Sequence, residues 1–218
     1  MSDYHAPLAD MRFVLHELAG LGQVAALPGY EEATPDVADA ILEEAAKFAN
    51  EVMSPLNAVG DREGSVRGDD GSVRTPPGFK DAYLQFCENG WNGLTKGTEF
   101  GGQGLPVLLG TAVEEMWHAA NLAFNLCAML TQGAIESIEL AGSPELKQRF
   151  LPKMVAGTWS GTMNLTEPQA GSDLAAVRTK AASTARRFTM SSGPQSFVPR
   201  GRSNMCPPPK KASRHKRF

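Results

Sequence analysis

The sequence predicts a mainly α protein: an all-helical domain leading into the start of a β-domain that the chain barely enters. Three observations carry this. Apolar residues recur at helical spacing through most of the first 157 residues, in runs opened by helix-start signals such as Thr34-Pro35-Asp36 and Ser143-Pro144-Glu145. At Trp159 the period drops to two, with Trp159, Gly161, Met163 and Leu165 alternating with Ser160, Thr162 and Asn164, which reads as a strand. Beyond Lys180 neither period is sustained. The expected organisation is an N-terminal extension over 1–33, an all-α domain over 34–157, the start of a β-domain over 158–180, and a basic tail over 181–218.

Each element has a local reason. Leu8, Met11, Val14, Leu15 and Leu18 are spaced for a short N-terminal helix, followed by a Gly- and Pro-punctuated stretch ending at Pro28-Gly29. Thr34 is a hydroxyl N-cap, Pro35 fits the first helical position, and Asp36 suits the positive end of the helix dipole. Val37, Ile41, Ala45, Phe48 and Val52 then form an apolar stripe, and Ser54-Pro55 is expected to stop the helix. Residues 60–78, polar and rich in glycine, read as a long loop. A helix from Pro77 to about Glu88 would bury Phe79, Tyr83, Phe86 and Cys87 and end at Asn89-Gly90. Trp91–Leu105 reads as a loop. From Pro106 to Leu140 the pattern gives two helices broken near Asn121, and the density of apolar residues from Leu122 to Ile138 predicts burial on several sides. A last helix after Ser143 would point Leu146, Phe150 and Met154 inward and close at Gly157.

Composition bounds the function. Of 218 residues, 42% are hydrophobic and 21% charged, the proportions of an ordinary globular domain. No apolar run is long enough to span a membrane, and Asp3, His5 and Asp10 argue against a signal peptide, so a cytoplasmic location is expected. Cys87, Cys127 and Cys206 are too scattered for a disulfide framework or a metal site. The net charge of −3 conceals +9 over residues 181–218, which hold nine Lys or Arg and no Asp or Glu. Such a tail could be read as a nucleic-acid-contacting arm, but its Ala, Ser, Pro, Arg, Gly and Lys content cannot offset its ordering entropy by burial, so disorder is expected and a nucleic-acid partner is not.

The stretch with chemical content is Met163-Asn164-Leu165-Thr166-Glu167-Pro168-Gln169-Ala170-Gly171-Ser172-Asp173. A flavin presents carbonyl oxygens and ring nitrogens along its pyrimidine edge and needs fixed backbone amides and a hydroxyl beside them. Its pyrophosphate needs donors on a backbone free to approach closely. Leu165-Thr166 and Gly171-Ser172 hold both ingredients within eight residues, although residue types alone favour a turn whose hydroxyls only cap local backbone. Elsewhere Gly101–Gly104 reads as a loop between helices rather than a phosphate cradle, because no strand precedes it. His118 has no second ligand at helical spacing, Glu114-Glu115 reads as a solvated face, and Trp91, Trp117 and Trp159 as core.

Leu165 through Asp173 resembles the first signature of the acyl-CoA dehydrogenases, with Asn164 in place of its usual small first residue. Gly90-Trp91-Asn92-Gly93-Leu94, Glu99-Phe100-Gly101-Gly102-Gln103-Gly104-Leu105 and Leu146–Met154 followed by Gly157 resemble the family's helical-domain motifs in the same order. Tyr4-His5-Ala6-Pro7 with Phe13-Val14-Leu15 resembles the extended N-terminus of the branch containing 3-methylmercaptopropionyl-CoA dehydrogenases.

The resemblance implies FAD as cofactor, an acyl-CoA thioester as substrate, an electron-transfer protein as acceptor and a homo-oligomer. It implies that Thr166 meets the flavin's pyrimidine edge with backbone help from Met163 and Leu165. It puts Gly171 at the pyrophosphate and Ser172 near the pyrophosphate or the thioester's CoA arm, and has Glu167 and Asp173 organise the turn. No catalytic residue is expected here, since the family's base is a glutamate of a C-terminal helical domain. After Lys180 the family would continue into an apolar β-hairpin; the arginine- and proline-rich residues found instead predict an interrupted reading frame, giving an N-terminal fragment inactive by itself.

Overall fold

The computed structural model describes residues 4–184 and 187–191, with side chains as far as Thr179. Two compact units divide between Met163 and Asn164.

The first unit is helical. α1 (Leu8–Phe13) runs into a π turn at Val14–Leu18, which buries Met11 and Leu15 and leaves Val14 and Leu18 exposed. α2 (Leu21–Ala25) follows. Arg12 pairs with Asp39 at 3.3 Å and with Glu43, and His16 Nε2 lies 3.0 Å from Asp39, so polar groups tie the N-terminal extension to α3.

α3 (Pro35–Phe48) starts where Thr34 predicts, the hydroxyl accepting from Val37 N at 3.4 Å. Its buried face is Ala38, Leu42, Ala45, Ala46 and Phe48, while Val37 is exposed and Ile41 half-buried. The expected stripe is therefore turned by about one residue. Alanines are the reason, because their small side chains let the neighbouring helix approach and draw that side of α3 into the core.

Ser54-Pro55 does not end the helix. A π turn at Ala49–Met53 leads directly into α4 (Ser54–Glu63), with Pro55 in its first turn, where a missing N–H leaves no hydrogen bond unmade. The loop expected over 60–78 is correspondingly shorter and contains a two-stranded hairpin, β1 (Val66–Arg67) and β2 (Val73–Arg74). α5 (Phe79–Glu88) begins after Gly78 and ends, as expected, at Asn89-Gly90 with Gly90 at φ 75°.

α6 (Val107–Ala141) carries the predicted break at Asn121, where φ is −160° and ψ is 87°. Asn121 is the N-cap of the second half: its Oδ1 accepts from Phe124 N at 3.0 Å while its Nδ2 donates to Met53 O at 3.1 Å. The expectation that 122–138 is buried on several sides is corrected. Phe124 and Ile135 are buried, but Leu122, Leu126 and Met129 are exposed; the helices that pack on α6, α3, α4 and a later helix, leave that face uncovered. Phe86 sits at the centre of the core, 4.9 Å from Trp117, 5.9 Å from Phe124 and 6.0 Å from Phe48 between ring centroids.

α7 (Pro144–Val155), capped by Ser143, buries Leu151, Met154 and Val155 against α6 in a second, smaller cluster. Leu146, expected inward, is exposed, and Phe150 is half-buried against Trp159 at 5.7 Å. Trp91 and Trp117 are core, as expected; Trp159 is half-buried under the Lys153 ammonium.

The strand expected from Trp159 does not form. Period two describes a ribbon, but a strand exists only beside a partner that completes its ladder, and among the described residues none lies along it. Trp159 N bonds instead to Lys153 O at 3.1 Å and Gly161 N to Thr131 Oγ1 at 3.1 Å. In the second unit, the backbone of β3 (Lys180–Thr184) pairs antiparallel with β4 (Arg187–Ser191), from Lys180↔Ser191 to Thr184↔Arg187. Residues 181–184 and 187–191, read from composition as part of a disordered tail, thus pair as two strands. The basic clusters beyond Ser191, Cys206 among them, lie outside the described residues.

Candidate functional site

Two places in the chain gather chemistry. In the helical unit, a cavity of about 370 Å³ opens between the two halves of α6 and the Trp91–Leu105 loop. Its walls mix apolar Trp91, Leu94, Val107 and Met129 with polar Lys96, Glu114, His118, Gln132 and Glu136. That is the size and mixture of a small-ligand site.

The loop is held by its own backbone. Gln103 N donates to Gly93 O at 2.8 Å, Gly104 N to Lys96 O at 2.9 Å, and Leu105 N to Leu94 O at 3.1 Å. The two glycine-bearing motifs seen in the sequence are thus halves of one structure. A side chain at Gly102 would put its Cβ 2.1 Å from Lys96 O, so glycine is required by close approach of backbone to backbone. Gly110 does the same on α6, where a Cβ would come within 2.4 Å of Thr95 Cγ2. These two absences bring Thr95 and Lys96 to the cavity wall.

Lys96 is 4% exposed, and its ammonium donates to Glu136 at 2.9 Å, itself 61% exposed. Across the cavity, Glu114 accepts from Asn125 Nδ2 at 2.6 Å, and His118 Nδ1 lies 2.7 Å from Glu114 O. With that nitrogen donating to the carbonyl, neutral His118 has Nε2 as its acceptor. Glu114, read as part of a solvated face, is instead half-buried in this polar group. Lys96, Asn125, Gln132 and Glu136 carried no signal of their own in the sequence. Met129, Gln132, Gly133 and Glu136 do share a helical face, and that face could have been marked once the break at Asn121 was placed.

The second place is the turn after Asn164. Glu167 N donates to Ala170 O, and Ala170 N to Glu167 O, both at 3.0 Å, closing a tight turn over Pro168-Gln169. The buried Glu167 carboxylate accepts from Arg178 N at 3.0 Å, Thr179 N at 2.7 Å, the Thr179 hydroxyl and Gln169 Nε2. The Thr179 hydroxyl, with the other donors behind it, holds this acid well below the usual carboxylate range, at about 2. Asp173 Oδ1 caps Ala175 N at 3.1 Å. Both acids are thus engaged with local backbone.

The residues expected at a cofactor are arranged differently. Met163 is 65% exposed, Leu165 44%, and Thr166, Gly171 and Ser172 are exposed as well. A Cβ built on Gly171 meets nothing within 4 Å. Among the described residues, Leu165, Thr166 and Ser172 make no hydrogen bond, so their amides and hydroxyls are available to a ligand.

Among the described residues no helix is long and apolar enough to cross a membrane, and no group of three or more His, Cys, Asp or Glu could hold a metal ion.

Comparison with known proteins agrees with this geometry. Residues 35–158 match the acyl-CoA dehydrogenase N-terminal domain. The chain is 46% identical over 175 residues to 3-methylmercaptopropionyl-CoA dehydrogenase of Ruegeria pomeroyi, covering 80% of this chain and 30% of that protein. It is 35% identical over 181 residues to a butyryl-CoA dehydrogenase of Syntrophomonas wolfei, covering 82% and 30%. The fold is similar to that of acyl-CoA dehydrogenase from Geobacillus kaustophilus, with TM-score 0.59 and 20% identity over 72% of this chain and 38% of that one. It is likewise similar to butyryl-CoA dehydrogenase from Megasphaera elsdenii, with TM-score 0.58 and 22% identity over 71% and 39%. The chain spans about 30% of the length of these curated relatives. A helical unit of this form, followed by the turn at Leu165–Asp173, belongs to the acyl-CoA dehydrogenase family, of which this chain carries the N-terminal part.

Proposed function

We propose that the chain supplies the helical domain and the first flavin-contacting turn of an enzyme that converts an acyl-CoA thioester to its trans-2-enoyl product. The observation that carries this is the turn at Glu167, whose acid is fully engaged with backbone while the neighbouring donors of Leu165, Thr166 and Ser172 are exposed and unbonded. Those residues fit FAD: Thr166 with the Met163 and Leu165 amides at its pyrimidine edge, Gly171 and Ser172 at its pyrophosphate, Ser172 also beside the CoA arm. When bound, FAD accepts the hydride from the substrate's β-carbon.

The chain's own contributions are positioning and exclusion of water. The apolar walls of the cavity receive the acyl tail, and burial there orients the thioester. The α-proton needs a base, which the family resemblance puts on a glutamate outside these residues. An electron-transfer protein as acceptor and a homo-oligomeric assembly belong to the same proposal.

A chimera tests it. Residues 1–180 should replace the corresponding third of the Ruegeria pomeroyi enzyme and yield a folded, FAD-loaded protein that oxidises an acyl-CoA. In that chimera Thr166→Ala should weaken FAD retention about tenfold, the loss of roughly 1.4 kcal/mol of hydrogen bonding. A chimera that folds but takes up no FAD sinks the proposal.

A further inference from the structure

The helical unit ends on a backbone that side chains of α5 and α6 hold in place. Gly157, at φ 71°, lies where a Cβ would come 2.3 Å from Cys87 Sγ, and its carbonyl accepts from the Tyr83 hydroxyl at 3.1 Å. Further on, Gly161 N donates to Thr131 Oγ1 at 3.1 Å, and a Cβ on Gly161 would come 2.4 Å from Ala134 Cβ. Thr131 is buried, and its hydroxyl donates to Cys127 O at 2.8 Å. That bond uses the hydroxyl's only proton, so the oxygen meets Gly161 N–H as an acceptor, aimed by the helix itself. A segment with the period of a strand is thus seated by a helix.

Helical geometry puts Thr131 and Ala134 on the side of α6 opposite Met129, Gln132, Gly133 and Glu136, which line the cavity. The same turns therefore form a wall of the cavity with one face and seat the backbone ahead of Leu165 with the other. From Gly161 to Leu165 the extended chain spans at most about 14 Å, so a shift at Gly161 is passed on with little slack. Resting on the flavin reading above, we propose that Thr131 is a positioning residue: its hydroxyl fixes the backbone that presents the Met163 and Leu165 amides and Thr166 to FAD. A ligand that meets donors already placed loses less ordering entropy than one that must immobilise them.

The test uses the whole 218-residue chain, with FAD as the probe. Thr131→Val keeps the branched shape and removes the acceptor. Amide exchange from Gly161 to Leu165 should then rise about fivefold, the worth of one hydrogen bond, while exchange in α3 stays as it was. The FAD dissociation constant, read from flavin fluorescence, should rise by a similar factor. Thr131→Ser retains the hydroxyl and should restore both. Gly161→Ala, whose Cβ would strike Ala134, should weaken FAD binding while leaving the Thr131 hydroxyl on Cys127 O. If the unmodified chain takes up no FAD, the same variants are compared in the chimera described above.

Unchanged exchange from Gly161 to Leu165 in Thr131→Val would overturn the proposal while leaving the flavin reading intact. So would faster exchange with FAD affinity indistinguishable from that of the unmodified chain, or a Thr131→Ser variant no better than Thr131→Val. Absence of FAD from both the chain and the chimera would remove the flavin reading, and this role of Thr131 with it. Should Thr131→Val not fold, Gly161→Ala decides by the same two readouts.

Discussion

At the scale of single residues, burial separates side chains whose loss is felt from those whose loss is not. Phe48, on the stripe read from the sequence, is buried against Phe86. Phe48→Ala should destabilise the helical unit by about 3–5 kcal/mol, the sum of lost transfer energy and a cavity, measured by urea unfolding; an unchanged midpoint would show that the site closes over the gap. Glu167 gives a test of sign. Its carboxyl lies at about 2 in the folded chain against an ordinary 4.5, so ionisation favours the folded turn. That contribution is fully present above about pH 4.5, declines below it, and is lost once pH falls through about 2. Amide exchange at Arg178 and Thr179, whose N–H groups it holds, should rise beyond the ordinary acid baseline across that window. In Glu167→Gln this extra rise should be absent. The Glu167 effect could not be ranked beforehand, because the sequence names the acid without naming its donors.

At the scale of elements, local signals with a stereochemical cause were legible and those depending on neighbours were not. Thr34-Pro35 and Ser143-Pro144 cap helices because a hydroxyl and a fixed φ act within one turn. Pro55 misleads by the same logic: its effect depends on whether a helix starts or continues there, and the π turn before it makes it a starting residue. The run after Trp159 has the period of a strand but forms none among the described residues, because strand pairing is a tertiary matter that periodicity cannot carry. Asn121 was legible as a break but not as a cap, since its bond to Met53 O spans 68 residues. Asn121→Ala should cost about 1–2 kcal/mol through the lost cap, with the lost Met53 bond adding to it, as read by thermal unfolding. Asn121→Asp, which still caps but cannot donate, should recover only part of that loss.

At the scale of the whole molecule, the family was legible because its motifs are short, ordered and local, whereas the cavity wall was not, because Lys96 and Glu136 meet only once the loop is folded onto α6. Taken by itself, the chain holds exposed donors at the Leu165–Ser172 turn and a cavity whose glutamates, Glu114 and Glu136, are both hydrogen-bonded. The purified 218 residues, given excess FAD, acyl-CoAs of several lengths and an artificial acceptor, should therefore show no turnover above background, since acid–base and binding parts act as a unit. Substrate-dependent flavin bleaching would contradict this.

The break in α6 has one further consequence. The same amide that divides the helix also anchors it to the end of the π turn, so the width of the cleft between its halves and the stability of the bundle are set at one point. Ligand affinity and melting temperature are then linked quantities: a ligand that fills the cleft of the folded unit raises its melting temperature. Occupancy of the cavity thereby becomes a means by which a ligand preserves the fold that receives it.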